Sequence, residues 1–474
     1  MPLWAGFPEI RSLLSRVLWQ QFDSSSVLLW SQRLGVFGLG LWAFTAYQTL
    51  GAANVGLLLM LVAMVVQSKQ VLHAFRWHAW FIWLCLFCLY VVVSALVSVS
   101  FSPEVSSTHW DATARFLKLF LFIPVIAWWL GGSSKRVAWV LGLFLAGFLL
   151  EQLIETDFRQ WQAALAGQRI SMGMQENHVG FYSAVVIAVL LVLAPYLWGQ
   201  AVSLRLRILR SVLWVSLLIA CAFLFYAGQS RAALVALLIV VPITLLIGGW
   251  PHLQQLRSGK RPIFFAIGVL GVAAILFIMM QGSVDRFRED MASINFDQLS
   301  EELKDGSKAS EVNTTKVRLA LWIYGVGKWS ERPLMGWGPG SSRVLLENSS
   351  NEWVKRFADC HNMTIEFLIR FGLFGSAVAF AFIVTVFFSA RRSLNRRALS
   401  RPVFLVGVTG LAMFFVAEQF NFWWLDPHAR FFLLMFIGIL IAPSLRGDRI
   451  EAPDAGHADP ASGAIGPLQT RSSG

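Results

Sequence analysis

Long apolar runs dominate this chain, and polar residues gather in short breaks between them. Runs of about 18–22 apolar residues are long enough to cross the hydrocarbon layer of a membrane as α-helices. The pattern predicts about twelve such spans, at 34–50, 52–67, 79–100, 112–130, 136–154, 177–198, 209–227, 230–249, 262–281, 362–389, 402–422 and 429–445. Only Gly51, Ala52, Ala53 and Asn54 part the first two. Ahead of them, Ile10, Leu13, Leu14, Val17 and Leu18 recur at helical spacing against Arg11 and Arg16. That spacing predicts an amphipathic helix lying on the membrane surface. No basic region, apolar stretch and small-residue cleavage site follow one another at the start, so no cleaved leader is expected.

The expected fold class is therefore an all-α polytopic membrane protein. Its segments are 1–33, with the surface helix; 34–281, with spans one to nine; 282–361, a large loop with helices; 362–445, with spans ten to twelve; and 446–474, a tail rich in Ala, Gly, Pro and Ser that reads as disordered.

Composition and charge fit that reading. Of 474 residues, 56% are hydrophobic and only 14% charged, far from the balance of a soluble chain. Lys and Arg collect in alternate loops: Lys69 and Arg76; Lys135 and Arg136; Arg205, Arg207 and Arg210; Arg257, Lys260 and Arg261; then Arg391, Arg392, Arg396, Arg397 and Arg401. By the positive-inside rule this side faces the cytoplasm. Both termini then lie inside, and the loops 155–176 and 282–361 lie outside. The net charge of +12 reflects topology and contact with anionic membrane lipids, and implies no nucleic-acid partner. Cys85 and Cys88 form a CxxC inside a span, where packing is the better reading than metal or redox chemistry. Cys221 is also within a span and Cys360 has no obvious partner, so there is no disulfide framework.

Function must then be sought among polar groups at the outer face. Four segments bring cations there: GQRISMGMQENH, with Arg169 and Asn177; GQSRAALVALL, where Ser230 can cap a helix and Arg231 sits in its first turn; TTKVRLALW, where Arg318 and Trp322 share a helix face; and CHNMTIEFLIR, with His361. Arg115 and Lys118 stand near the outer end of the fourth span. Each residue has a plainer reading, as a loop charge, a snorkelling cation or an interfacial anchor. Glu366 and Arg370 are spaced for a structural ion pair.

Arginine binds phosphate oxygens in a bidentate fork, so two or three arginines can hold a diphosphate. That suits a lipid whose diphosphate head lies at the interface. A histidine, with an ordinary pKa of about 6.5, can take a proton at neutral pH. The outer loops contain no Asp-x-Asp motif, and Glu104 and Asp111 read as lone acids, so neither a metal site nor a cofactor is expected. Gly336–Gly340, GWGPG, can present backbone N–H groups to an anion but reads first as a turn.

Three motifs resemble the signature of the O-antigen ligase and polymerase superfamily of bacterial envelope enzymes. They are SRAALVAL around Arg231, the R-x-x-x-W…P-L-x-G-x-G-P-G run from Arg318 to Gly340, and HNMTIEFLIRFGLFG from His361. Their order, the twelve spans and the large outer loop match as well, over about 34–445. The resemblance implies a metal-independent glycosyltransferase of the GT-C type in the inner membrane of a Gram-negative bacterium, with its site facing the periplasm. Its donor would be a glycan on undecaprenyl diphosphate. The ligase reading is favoured, with a lipid A–core oligosaccharide as acceptor. His361 would then be the general base, and Arg231 and Arg318 would neutralise the departing diphosphate. Direct attack would invert the anomeric carbon. Arg169, Asn177, Arg115, Lys118 and Trp322 are candidates for the substrate pocket by position. An O-antigen polymerase and a protein O-oligosaccharyltransferase are the related alternatives; the latter group usually carries a further soluble region after the last spans. A transporter or flippase is the alternative of another class; mid-membrane Gly/Pro breaks with paired charges in both halves would favour it, and the sequence shows none, while the notable cations cluster at one face.

Overall fold

The computed structural model describes residues 24–198, 203–255, 288–289, 292 and 314–449. Ten long helices carry most of the fold: α1 (Ser24–Thr45), α2 (Leu50–Val66), α4 (Ala79–Phe101), α5 (Ser106–Leu130), α6 (Ser134–Ile154), α8 (Glu176–Trp198), α9 (Leu204–Gly228), α10 (Arg231–Gln255), α13 (Met363–Asn395) and α14 (Arg401–Ala417). α15 (Pro427–Ile441) completes the bundle. Shorter helices join or cover these: α3 (Ser68–Phe75), α7 (Phe158–Leu165), α11 (Thr314–Glu331) and α12 (Ser341–Glu347). Among the described residues nine helices are long and apolar enough to cross a membrane, the bent pair α2–α3 would make a tenth, and Arg231–Ile247 is a shorter apolar helix. The chain is a polytopic all-α membrane protein. The predicted surface helix at Ile10–Leu18, the span 262–281 and the tail beyond 449 lie outside the described residues.

Near the start of the chain, two features differ from the sequence reading. The first helix begins at Ser24 rather than 34 and ends at Thr45, because the apolar run extends back through Val27–Trp30 and Thr49 caps the next helix by accepting from the Ala52 N–H. The segment after α2 is no open loop: the chain turns by 92° into α3, which buries Val71, Ala74 and Phe75 and leaves Lys69 exposed.

The two ends of the bundle are fixed by contacts between loops. At the basic end, Ser134 and Ser400 hydroxyls meet at 3.2 Å, and the Arg401 guanidinium donates to the Ile247 carbonyl. At the far end, α8 and the α9–α10 junction approach so closely that a Cβ on Gly228 would lie 2.6 Å from the Gly180 nitrogen. Only glycine permits that approach. A small second core of Val317, Leu321, Leu346, Trp353, Val354, Cys360 and Ile369 seats α11 and α12 on the start of α13 at this same end.

α13 is the predicted tenth span, but it is broken. Gly372 takes φ 62° and ψ −166° inside it, which frees backbone groups that lipid could not satisfy. The segment before α12 supplies their partners. Trp337 and Gly338 N–H groups donate to the Ile369 and Arg370 carbonyls at 2.8 and 2.9 Å, and the Leu373 and Phe374 N–H groups donate to the Pro333 and Leu334 carbonyls at 2.9 and 3.1 Å. The GWGPG run thus plugs a helix break. Its amides are spent on protein, since Gly340 N–H donates to His109 Nδ1 at 3.2 Å; the run is no anion nest.

Candidate active site

The far end gathers three of the predicted cations. The α7–α8 loop folds over the α9–α10 junction, where Arg169 Nε donates to the Gly228 carbonyl at 3.2 Å and Nη2 donates to Asn177 Oδ1 at 2.7 Å. Glu176 stands 4.0 Å from the same guanidinium. Arg231 opens α10 two residues beyond Gln229, a non-glycine residue in the left-handed region at φ 45°. Ser230 caps α10 by accepting from the Ala233 N–H at 3.4 Å, as its sequence position predicts. Arg318 comes from α11, and burial together with the positive charges of Arg231 and Arg169 pulls its pKa down from the ordinary guanidinium value. Cations from three distant segments therefore lie near enough for Arg231 and Arg169 to act on Arg318. Trp322 lies one turn along α11 from Arg318, and its indole N–H is buried without a hydrogen-bond partner among the described residues.

His361 sits at the lip of α13, a third exposed, with Nδ1 2.5 Å from Asp359 Oδ1. The same Asp359 oxygen accepts the His361 backbone N–H at 2.8 Å. A carboxylate at Nδ1 fixes the proton there and leaves Nε2 as the acceptor. The residue is held in the left-handed region at φ 50°, sparsely populated by side chains other than glycine. Both neighbours hold it there. Before it, the Cys360 N–H donates to Glu366 Oε1 at 2.7 Å. After it, Asn362 caps α13 through the Ile365 N–H.

Glu366 is the hub of this support. Its other oxygen accepts Ser342 Oγ at 2.6 Å and Arg370 Nε at 2.7 Å, and Arg370 donates in turn to the Pro339 carbonyl. The predicted Glu366–Arg370 pair is thus present and buried, with side chains 0% and 5% exposed.

One short turn, Glu418–Phe420 at the end of α14, touches both the start of α13 and helix α10. Asn362 Nδ2 donates to the Gln419 carbonyl at 2.9 Å, and Thr364 Oγ1 donates to Gln419 Oε1 at 2.9 Å. α10, which begins at Arg231, packs against the same turn.

The remaining candidates are placed apart. Arg115 pairs with Asp111 at 2.6 Å, so Asp111 is no lone acid. Both line a separate cleft of about 570 Å³ with Ser107, Thr108, Arg343 and Glu347, which opens beside Ala358. Lys118 is exposed one turn deeper on α5. Asp359 was missed by sequence reasoning although it stands two residues before His361. Gln419 carries no sequence signal at all, since only the tertiary fold brings it to Asn362.

The described residues thus form a multi-pass helical bundle that carries a carboxylate-oriented histidine and three arginines at its far end, an arrangement able to hold an anion. Residues 215–380, from within α9 into α13, match the family described as O-antigen ligase. Arg231, Arg318, Asp359 and His361 all fall within it. No curated protein matches the chain.

Proposed function

We propose that the protein is an O-antigen ligase, a GT-C-type glycosyltransferase of the inner membrane. It would move a glycan from undecaprenyl diphosphate to a sugar hydroxyl of lipid A–core at the periplasmic face. The observation that carries this reading is the Asp359–His361 pair, tied through the Gln419 turn to the helix that begins with Arg231. His361 Nε2 takes the proton of the acceptor hydroxyl as its oxygen attacks the anomeric carbon. Asp359 stabilises the imidazolium that forms. The bond to the diphosphate oxygen breaks on the opposite side, which inverts the carbon.

The leaving diphosphate gains charge as it departs. Arg231 and Arg318 bind it, with Arg169 held alongside by Asn177. Fixed cations of this kind stabilise the transition state without reorganising, and no metal is needed for that role. The unpaired Trp322 indole N–H supplies a further donor to the donor substrate. We assign the acceptor sugar to the cleft lined by Asp111, Arg115, Arg343 and Glu347 beside Ala358, and Lys118 to lipid phosphate.

The test is transfer by purified protein in lipid, supplied with undecaprenyl-diphosphate-linked glycan and lipid A–core in the presence of EDTA. Glycan on the core lipid with wild type, and none with His361→Ala, is the expected result. Transfer only to a second lipid-linked glycan would make the protein a polymerase. Glycan that never leaves its carrier with any acceptor would favour a transporter.

A further inference from the structure

The basic end of the bundle holds a cavity that the proposed chemistry does not use. It measures about 840 Å³ and lies between the start of α4, the last turns of α13 and Pro443–Ser444. Arg391, Arg392 and Arg396 line it, with Ser389, Asn395 and Trp80. Arg392 and Arg396, i and i+4, share one helix face, and the neighbouring Arg391 lines the same cavity. All three are exposed. None has an acidic partner among the described residues, and no Asp or Glu lines the cavity.

The cavity sits where two candidate membrane-spanning helices meet their ends, the start of α4 and the end of α13, the level at which head groups would lie. Its rim is apolar and lipid-facing: Trp77 is 78% exposed and Phe388 64% exposed, the placement of an aromatic belt. Basic pockets between helices at this level suit anionic head groups. Guanidinium forks match phosphate oxygens, and the hydroxyl and amide of Ser389 and Asn395 suit the polar remainder of a head group.

We infer that this cavity binds the head group of an anionic phospholipid of the leaflet at the basic end, its phosphate held by Arg391, Arg392 and Arg396. The acyl chains run from the rim along Phe388. A free anion would gain nothing from that apolar rim, so the occupant is a lipid rather than dissolved phosphate. The site is independent of the glycan-transfer reading.

The experiment uses the full chain purified from detergent into vesicles of phosphatidylcholine doped with phosphatidylglycerol, then re-extracted, with retained lipid measured by mass spectrometry. Wild type should retain phosphatidylglycerol selectively. R391Q/R392Q/R396Q should retain at least about tenfold less. The single changes Arg392→Gln and Arg396→Gln should each lower retention, so the outcome does not rest on the folding of the triple variant. R205Q/R207Q/R210Q removes as many cations from the same end and should retain lipid as wild type does. Equal retention by the Arg391 triple variant, or an equal loss in the Arg205 control, would overturn the site. Full displacement of the lipid by excess inorganic phosphate would overturn the choice of a phospholipid.

Discussion

Asp359 holds His361 twice with one oxygen, through the ring Nδ1 at 2.5 Å and through the backbone N–H at 2.8 Å. The carboxylate therefore fixes the tautomer and the backbone together. Asp359→Asn keeps the shape but can present an amide N–H to Nδ1, which turns the ring's proton to Nε2. Transfer should fall by about 10²–10⁴-fold, with donor binding little changed. Single-turnover rates with both substrates saturating check this. A rate within a factor of a few of wild type would mean that His361 only positions the acceptor.

The three arginines should not be exchangeable for lysine. Arg318 is already crowded by Arg231 and Arg169, and that cost is recovered only when an anion arrives. Arg318→Lys and Arg231→Lys retain charge but lose the bidentate fork. Each should cost about 10²-fold or more in rate, and alanine more still. A lysine variant at full rate would sink the diphosphate role assigned to that position.

Glu366 acts on stability before chemistry. Glu366→Ala leaves Arg370 buried beside the Pro339 carbonyl with no carboxylate, and strips the acceptor from Cys360 and Ser342. The expected loss is about 3–5 kcal/mol, read as a large drop in the thermal unfolding midpoint in detergent. The double change Glu366→Leu with Arg370→Leu should be milder than Glu366→Ala, because no buried charge is stranded. If the single variant melts with wild type, the pair is not the support described.

Gly372 is the one residue that lets α13 break. At φ 62° a side chain is strained, and a Cβ there would collide with the Leu334 carbonyl. Gly372→Ala should destabilise the protein by about 2 kcal/mol or more, loosening the 333–340 segment. Faster proteolysis between α11 and α12 is the readout, and unchanged digestion would contradict it.

The apolar runs made the bundle legible because a membrane demands about twenty apolar residues from each span. Arg231 and His361 stood out as candidates because a cation at the lip of such a run is conspicuous, and Arg318 because it shares a helix face with Trp322. The break at Gly372 was not, since glycine within an apolar helix has no sequence mark that separates packing from a kink. The plug formed by 333–338 was hidden for the same reason: its work is done by backbone groups, which sequence does not distinguish. Asp111 was misread as a lone acid, although its i,i+4 spacing from Arg115 already allowed their pairing.

Cys360 offers a check on the fit of the whole lip. Its side chain is fully buried against α11 and α13, and burial first, then the negative charge of Glu366 and Asp359, push its thiol pKa up. The reactive species is the thiolate, so a raised pKa and an absent path both slow alkylation. In a C85A/C88A/C221A background, maleimide should leave Cys360 unlabelled at pH 8, and raising the pH to about 9 should add nothing while the protein stays folded. Full labelling should appear once the protein is denatured. Rapid labelling of the folded protein would mean that the segment from Asp359 to Asn362 opens readily, and a dyad on an open lip could not hold His361 for proton transfer.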